Sequence, residues 1–548
     1  MNGGSYTNWL RVVAVVILAC GNVTAAGQGG ASAEPRAPLL LRDPSLSRTH
    51  LAFNYAGDIW VANRDGSELR RLTRTGHAAK PAFSPDGSQI AFLDERDGVR
   101  NVYAVPFAGG EPRQLTFHPA DLGEMRMNRT GDTVAWAPDG KRIVFSSRRT
   151  AFASGVVQLF TVPAEGGPVK PVPLVRAAQA AFSPDGKRIA YVPNTQWQAD
   201  WKRYRGGQAT SILIADLGDS SIQARIPREE SNDFNPMWVG EYIYFLSDRS
   251  GPVRLYSYHL RSGAVKQLVD NDGFDLKSAA ASSDAIVYEQ FGSLHLLDLE
   301  SGLDRVLDIP PMADFPEVRP HVRSVAEILE STDRSIRPRL SPTGDEVVFG
   351  LRGEILVAGT AKGHGRNLTQ TPGAVEREPV WSPDGRSIAY FSDESGEYAL
   401  HIRDASGRGD VRRIGLGDPP GFPNSSVWSP DSSRIGYTDK RLNFWIVDIE
   451  HATRVRVDTD LYVNPAQPMQ FAWSADSRWF AYTRQLPSHL HAVFIHSVEQ
   501  GRSYQLTDGM SDALHLAFDR GGQYLYFTAS TDASMKTGLL RDSERLSL

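Results

Sequence analysis

The sequence has little of several things on which proteins commonly depend. It contains one cysteine, Cys20, in 548 residues, so the mature chain can form no internal disulfide and must be stabilised by packing. The apolar run from Val12 to Ala19 is far shorter than the ~20 residues needed to span a bilayer. No charge of one sign dominates, because 59 Lys and Arg residues stand against 64 Asp and Glu residues. A net charge of -5 gives no basic field for nucleic acid, which we do not expect as a partner.

Motifs of catalysis are lacking as well. There is no Gly-x-Ser-x-Gly elbow, no His-Glu-x-x-His, no cysteine pair and no glycine-rich phosphate loop. His489, His491 and His496 cluster, and the first two would share one face of a strand, but no third metal ligand is evident. We therefore expect no metal, no cofactor and no catalytic residue in this chain.

The N-terminus has the pattern of a targeting segment, predicted over residues 1–26. Arg11 precedes the apolar run, and small residues follow up to Ala26. Cys20 follows Ala19 as in a bacterial lipobox, which would make it a lipidation site. The alternative is ordinary cleavage after Ala25 or Ala26, which is favoured because Leu18 is unusual before the small residue. Either way we expect an exported protein, periplasmic or lipid-anchored, with membrane attachment only if Cys20 is lipidated.

A repeated segment is what the sequence does have in abundance. Phe83-Ser-Pro-Asp-Gly87 recurs with aromatic or apolar heads at Trp136, Phe182, Leu340, Trp381 and Trp428, and more weakly at Trp473 and Phe518. Proline sets φ for the turn, aspartate caps it and glycine takes the positive φ. An alternating apolar strand follows each copy. A period of 40 to 50 residues built from strands and turns is typical of a β-propeller blade, so we predict an all-β protein.

The repeats fall into two series. Six lie between residues 40 and 310 and predict a six-bladed propeller. Residues 311–338 are proline-rich and predict a linker with a short helix over 324–330. Five further repeats occupy 339–548, and the last is cut short. We expect this second propeller to be incomplete, with about five of seven blades; a closed five-bladed ring is the alternative.

Several segments of the second series resemble the tricorn protease family. They are Arg339 to Phe349, Arg366 to Gly373, Trp381 to Glu397 and Leu506 to Asp512. The resemblance implies a large serine peptidase that cleaves oligopeptides, with a six-bladed propeller, a seven-bladed propeller and a catalytic region split around a PDZ domain. It also implies hexamers. The family's catalytic residues belong to the later domains, so none can be assigned in this chain.

The same resemblance supplies one candidate site. The family anchors a peptide's C-terminal carboxylate with basic residues of its first propeller. Arg148 and Arg149 follow a predicted strand and suit this role, because a guanidinium fork matches a carboxylate. A solvated pair in a loop is the alternative.

The sequence thus predicts the substrate-gating, peptide-binding propeller region of an exported tricorn-like peptidase, without catalytic or PDZ domains. Its expected partners are peptides or those missing domains, and a homohexamer is compatible with the resemblance. The competing hypothesis is a stand-alone periplasmic binding or scaffold protein that resembles TolB.

Overall fold

The structure is a computed structural model that divides the chain into two compact units, one over Ala33–Pro320 and one from His321 onwards. It describes residues 40–96, 99–117, 133–147, 149, 157–194, 202–207, 209–228, 230–271, 274–309, 338–360, 365–371, 373–418, 421–460, 462 and 469–530. Every regular element in these ranges is a β-strand. None of the described residues belongs to a helix long and apolar enough to cross a bilayer.

The first unit consists of six four-stranded antiparallel sheets, each formed by four consecutive strands. Blade 1 contains β1 (Arg42–Leu46), β2 (His50–Tyr55), β3 (Asp58–Asn63) and β4 (Arg70–Arg71). Blade 2 contains β5 (Ala79–Phe83), β6 (Gln89–Arg96), β7 (Val99–Pro106) and β8 (Arg113–Gln114). Blade 3 contains β9 (Val134–Trp136), β10 (Arg142–Ser147), β11 (Gln158–Pro163) and β12 (Lys170–Pro171).

The remaining three blades of this unit follow the same order. Blade 4 contains β13 (Gln179–Phe182), β14 (Arg188–Val192), β15 (Leu213–Asp216) and β16 (Ile222–Arg225). Blade 5 contains β17 (Asp233–Val239), β18 (Tyr242–Ser247), β19 (Arg254–His259) and β20 (Val265–Gln267). Blade 6 contains β21 (Leu276–Ala281), β22 (Ala285–Gln290), β23 (Ser293–Asp298) and β24 (Asp304–Val306).

The second unit repeats the pattern with four complete sheets and a two-stranded one. Its first two blades contain β25 (Arg339–Leu340), β26 (Glu346–Leu351), β27 (Glu354–Gly359) and β28 (Arg366–Asn367), then β29 (Glu376–Trp381), β30 (Ser387–Ser392), β31 (Ala399–Asp404) and β32 (Arg412–Gly415). The next two contain β33 (Pro423–Trp428), β34 (Arg434–Asp439), β35 (Asn443–Asp448) and β36 (Thr453–Thr459), then β37 (Phe471–Trp473), β38 (Trp479–Gln485), β39 (His491–Ser497) and β40 (Arg502–Gln505). The described part of the fifth contains β41 (Ala513–Phe518) and β42 (Leu525–Ala529).

The Ser-Pro-Asp-Gly turn joins the first and second strands of a blade, and its chemistry is as predicted. Asp86 Oδ1 accepts hydrogen bonds from Ser84 Oγ (2.6 Å) and from the backbone N–H of Ser88 (3.0 Å). These bonds, the Ser84 one first, lower the pKa of Asp86 to about 2. Gly87 has φ 73°, the left-handed value that glycine tolerates best. These turns all lie at one end of a blade, here named the turn end; the links between blades lie at the opposite, connection end.

Neighbouring blades are joined through their first strands. In the first unit β1 contacts β5, β5 contacts β9, β13 contacts β17, and β17 contacts β21. The head tryptophans are buried between blades, and Trp136 Nε1 donates to the carbonyl of Ala82 on the preceding blade (2.9 Å). Blade 1 in turn contacts blade 6 through β1 with β21 and β22, so the ring closes without a shared strand. The predicted fold class, an all-β chain with two propellers in tandem, is confirmed.

The seam between blades 6 and 1 is held by apolar packing and by polar bonds. Leu46, Leu51 and Phe53 of blade 1 share a buried cluster with Val287 and Leu294 of blade 6. The backbone N–H of Leu41 donates to the carbonyl of Gly292 (2.9 Å), and Arg64 forms two hydrogen bonds with the carboxylate of Asp284 (2.6 and 3.0 Å). The predicted limits of the first propeller (40–310), the linker (311–338) and the second propeller (339–548) stay predictions. The helix expected over 324–330 lies outside the described residues.

Candidate functional site: the axial ring of the first propeller

A polar residue stands three positions before the head of every repeat in the first propeller, near the start of the first strand. First strands contact one another at five of the six blade boundaries, and at the sixth Thr133 Oγ1 donates to the carbonyl of Ala178 (2.9 Å), so the six residues surround the propeller axis. We name this set the axial ring. It consists of Asp43, Lys80, Thr133, Gln179, Asn235 and Ser278.

Three members of the axial ring sit in β-bulges. Asp43, Lys80 and Asn235 have φ values of 48°, 56° and 52°, and the strand register shifts at each of them. A proline follows each one, and since proline has no N–H, the bulge leaves no backbone donor unpaired at that place. Bulges of this kind re-aim a side chain away from the regular face of the strand.

The axial ring connects neighbouring blades by hydrogen bonds. Lys80 Nζ lies 2.6 Å from Asp43 Oδ1, joining blades 2 and 1. The backbone N–H of Asn235 donates to Gln179 Oε1 (2.8 Å), joining blades 5 and 4. Asn235 Nδ2 also donates to the carbonyl of Ala279 on blade 6 (2.8 Å). The ring therefore fixes the relative positions of blades and lines the axis with donors and acceptors.

Ionisable groups are concentrated where the ring closes. Glu289 on β22 is 8% exposed, and its Oε2 accepts from Ser278 Oγ (2.7 Å) and from the backbone N–H of Asp43 (3.3 Å). Burial raises the pKa of Glu289, and the charge of Asp43 adds to this. Lys277, which precedes Ser278 on β21, has a pKa lowered by desolvation, and the charge of Asp275 only partly opposes this. Groups of both charge signs therefore occur at this seam.

Arg149, a residue selected from the sequence, occupies a repeated structural position. Its guanidinium lies 5.1 Å from the ring centroids of Phe145 and Phe160. Arg96 and Arg249 occupy the same position in blades 2 and 5, four residues after the blade aromatic, and stack in the same way on Tyr103 (4.6 Å) and Tyr256 (5.0 Å). The stacking of three equivalent arginines indicates a packing role for Arg149. Arg148 lies outside the described residues, and carboxylate binding by this pair stays a prediction.

The other residues singled out in the sequence are dispersed. His489 contacts the ring of Tyr462 edge-on (4.5 Å), whereas His491 Nδ1 lies 2.7 Å from Asp512 Oδ1. His496 is buried, with Nδ1 2.9 Å from Ser503 Oγ. In the part of the chain that the structure describes, no three His, Cys, Asp or Glu side chains are grouped as metal ligands. Cys20 and the predicted signal peptide lie outside that part.

The axial ring itself was missed by sequence reasoning. Its signal was present: a polar residue three positions before each head, with proline next in Asp43-Pro44, Lys80-Pro81 and Asn235-Pro236. Only the closed ring shows that these side chains, far apart in the chain, surround one axis.

The sequence was compared with family models and known proteins. Residues 38–303 match the tricorn protease N-terminal beta propeller domain, and residues 337–532 match the tricorn protease second beta propeller domain. The chain belongs to the tricorn protease family. Both propellers thus match domains of that family, in the family's own order.

Two relatives and one solved structure are similar to this chain. The chain is 27% identical over 509 residues to tricorn protease homolog 1 of Streptomyces coelicolor, covering 91% of this chain and 45% of that protein. It is 31% identical over 400 residues to putative tricorn protease homolog 2 of the same organism, covering 69% and 32%. The crystal structure of the tricorn protease aligns at 19% identity and a TM-score of 0.45, covering 90% of this chain and 47% of that one. The chain therefore spans less than half the length of these tricorn relatives.

Proposed function

We propose that this chain is the substrate-gating, peptide-binding propeller region of an exported tricorn-like serine peptidase that acts on oligopeptides. We place the peptidase chemistry outside residues 1–548, because no nucleophile motif occurs within them. Its proposed partners are oligopeptides and a catalytic region of the tricorn type, with a homohexamer as the proposed assembly.

The observation that carries this proposal is the axial ring. A peptide backbone offers alternating N–H and C=O groups and ends in an amine and a carboxylate. The ring offers the ion-paired carboxylate of Asp43 and ammonium of Lys80, and amides or hydroxyls at its other four positions. Such a mixed set can bind both polarities of an extended peptide without selecting one side-chain type, which suits a gate that admits many oligopeptides.

Fluorescence anisotropy with labelled oligopeptides tests this proposal on the full chain. We expect Lys80→Gln to weaken peptide binding about tenfold, the loss of about one charged hydrogen bond. The matched control is Lys141→Gln, which removes the same charge from an exposed lysine in a turn-end loop and should leave affinity unchanged. Thermal unfolding of each variant separates lost binding from lost folding.

Absence of peptide binding by the wild-type chain, or equal effects of the two lysine variants, would contradict the role of the ring. Light scattering of the chain by itself, and of the chain mixed with a tricorn-type catalytic region, tests assembly.

Mass analysis of the mature N-terminus tests export: cleavage after Ala25 or Ala26, or a lipidated Cys20, would support it. Lipidation combined with no affinity for peptides would favour the TolB-like binding protein instead.

A further inference from the structure

Two carboxylates meet at the connection end between the first two blades of the second propeller. Glu354 begins β27 and Glu376 begins β29. Both contact Thr371: its backbone N–H donates to Glu354 Oε2 (3.3 Å), and its hydroxyl donates to Glu376 Oε1. Thr369 Oγ1 donates to Glu354 Oε2 as well (2.6 Å). The two acidic groups are therefore separated by little more than one threonine.

The first propeller contains the equivalent network with its charge balanced. There Asp58 begins β3, and Thr73 and Thr75 donate to it as Thr369 and Thr371 donate to Glu354. The two threonine positions match in the backbone also, since Thr73 Oγ1 accepts from Ile59 N–H (2.9 Å) and Thr369 Oγ1 from Ile355 N–H (3.0 Å). In the first propeller Arg71 pairs with Asp58 at 2.6 Å.

In the second propeller the residue equivalent to Arg71 is Asn367, which directly precedes Leu368-Thr369 as Arg71 precedes Leu72-Thr73. Its amide carries no charge, and its Oδ1 accepts from the N–H groups of Thr369 (3.1 Å) and Gln370 (3.2 Å). Asn367 therefore closes the local turn but does not neutralise Glu354.

Glu376 likewise has no arginine at the position that pairs with the equivalent acid of the first propeller. Its equivalent in blade 5 of the first propeller is Asp233, which pairs with Arg249 at 3.0 Å and accepts from Ser247 Oγ as Glu376 does from Ser392 Oγ. The position of Arg249 is occupied here by Glu394, which pairs with Arg413 instead. Within the described residues no hydrogen bond or ion pair joins a cationic side chain to Glu354 or Glu376.

One oxygen of the pair is buried without a partner. Glu376 is 3% exposed, and its Oε2 has no hydrogen-bond partner among the described residues. An ionised carboxylate with one such oxygen destabilises the fold, because burial removes the water from Oε2 and no donor among the described residues takes its place. Burial and the charge of Glu354 both raise the pKa of Glu376, which expresses the same cost.

We propose that Glu354 and Glu376 bind a divalent cation, and that this cation is Ca²⁺. Two uncompensated carboxylates match a charge of two. The donors at hand are all oxygens, from the two carboxylates and the hydroxyls of Thr369 and Thr371, which hard cations prefer over nitrogen or sulfur ligands. Ca²⁺ suits an irregular set drawn from two strands and a loop, whereas Mg²⁺ demands near-ideal octahedral geometry and keeps its water.

Titration of the chelator-treated full chain with CaCl₂ tests this site, by calorimetry and by thermal unfolding. We expect Ca²⁺ to bind and to raise the unfolding temperature of the second propeller, with Mg²⁺ weaker by at least tenfold. Glu376→Gln and Glu354→Gln should each weaken Ca²⁺ binding at least tenfold. Glu394→Gln is the matched control, an acid of the same blade that is paired with Arg413, and should bind Ca²⁺ as the wild-type does.

A gain-of-charge variant keeps the test decisive if the glutamine variants fold poorly. Asn367→Arg places a guanidinium where the first propeller has Arg71, and it should abolish the response to Ca²⁺ while the protein stays folded. No binding heat and no shift in unfolding temperature at millimolar CaCl₂ in the wild-type chain would overturn the proposal. So would a Glu376→Gln variant that binds Ca²⁺ like the wild-type, because the pair would then not be the site.

Discussion

Strand β22 in blade 6 of the first propeller and strand β42 in the last described blade of the second each pair antiparallel with the preceding strand, but their surroundings differ. Val287, in the middle of β22, is fully buried against blade 1, whereas Tyr526, at the equivalent position of β42, is 60% exposed. The neighbouring Phe527 is 41% exposed, although its equivalents Tyr437 and Tyr482 are 1% and 0% exposed. The strands themselves are therefore not enough to form a core in this fold. Burial at such a position depends on a neighbouring blade, and in the first propeller blade 1 covers Val287.

The buried acids differ between the propellers in a similar way. In the first, Asp58, Asp94 and Asp233 each have an arginine at 2.6 to 3.0 Å. In the second, Glu354 and Glu376 accept hydrogen bonds from threonine hydroxyls, and the charge of Glu354 acts on Glu376. The two propellers thus use the same backbone network with different charge balance.

The largest difference in the free energy of unfolding is expected between Phe53, at the seam of the first propeller, and Tyr526, in the last described blade of the second. Phe53→Ala removes a fully buried ring from the seam with blade 6 and should lower the free energy of unfolding by about 3–5 kcal/mol. Tyr526→Ala should change it by no more than about 0.5 kcal/mol. Denaturant unfolding of both variants measures this, with Phe53→Leu as a milder control. A large loss for Tyr526→Ala would mean that this face is covered in the folded protein.

A smaller difference is expected for the two network positions. Arg71→Met leaves the carboxylate of Asp58, which is 1% exposed, without its cation and should cost about 3 kcal/mol. Asn367→Ala removes only turn hydrogen bonds and should cost about 1 kcal/mol. Calorimetric unfolding of the two variants gives the comparison. Equal losses would show that the two networks are not equivalent in energy.

Glu376 should make the fold less stable as pH rises, as expected for a buried acid whose pKa is raised. Its folded pKa is raised above 4.5, so the protonated group stabilises the fold at low pH and that stability is lost as pH rises above about 4.5. Glu354 and Tyr390 are titratable groups that interact with it. Unfolding of the wild-type chain and of Glu376→Gln in chelator, at pH 5 and pH 8, measures this. The variant should lose less stability over that range; equal slopes would contradict the prediction.

The smallest effect is expected at the seam pair of the first propeller, and its sign is opposite. The hydrogen bond from Arg64 is the main cause that lowers the pKa of Asp284 from 3.8 to about 2. Stability from this pair is therefore present above about pH 4 and is lost as pH falls toward 2. Since Asp284 is 54% exposed, the loss should be at most about 1 kcal/mol. Asp284→Asn should remove it, and acid titration of unfolding should show no such change in the variant.

Much of the fold could be predicted because its signals are local. Ser84, Asp86 and Gly87 specify their turn through bonds that reach only a few residues, so each copy of the repeat identifies a blade. The candidate site could not be predicted in this way. Arg149 was selected for its charge, but it stacks on Phe145 and Phe160 as Arg249 stacks on Phe245 and Tyr256. The sequence of one repeat does not show which side chains will surround a given residue in the folded protein.

The sequence by itself determined that this protein is all-β, that its blades fall into two series and that it resembles the tricorn family. Those conclusions depend on turn residues and strand alternation, which act over short distances in the chain. Tertiary structure alone decided that Asp43, Lys80 and Asn235 surround one axis, and that Arg64 meets Asp284 across 220 positions. It also decided that Glu354 and Glu376 share Thr371, with no cationic side chain bonded to either among the described residues. These relations arise only when blades are placed side by side, because long-range packing determines which charges must coexist away from water.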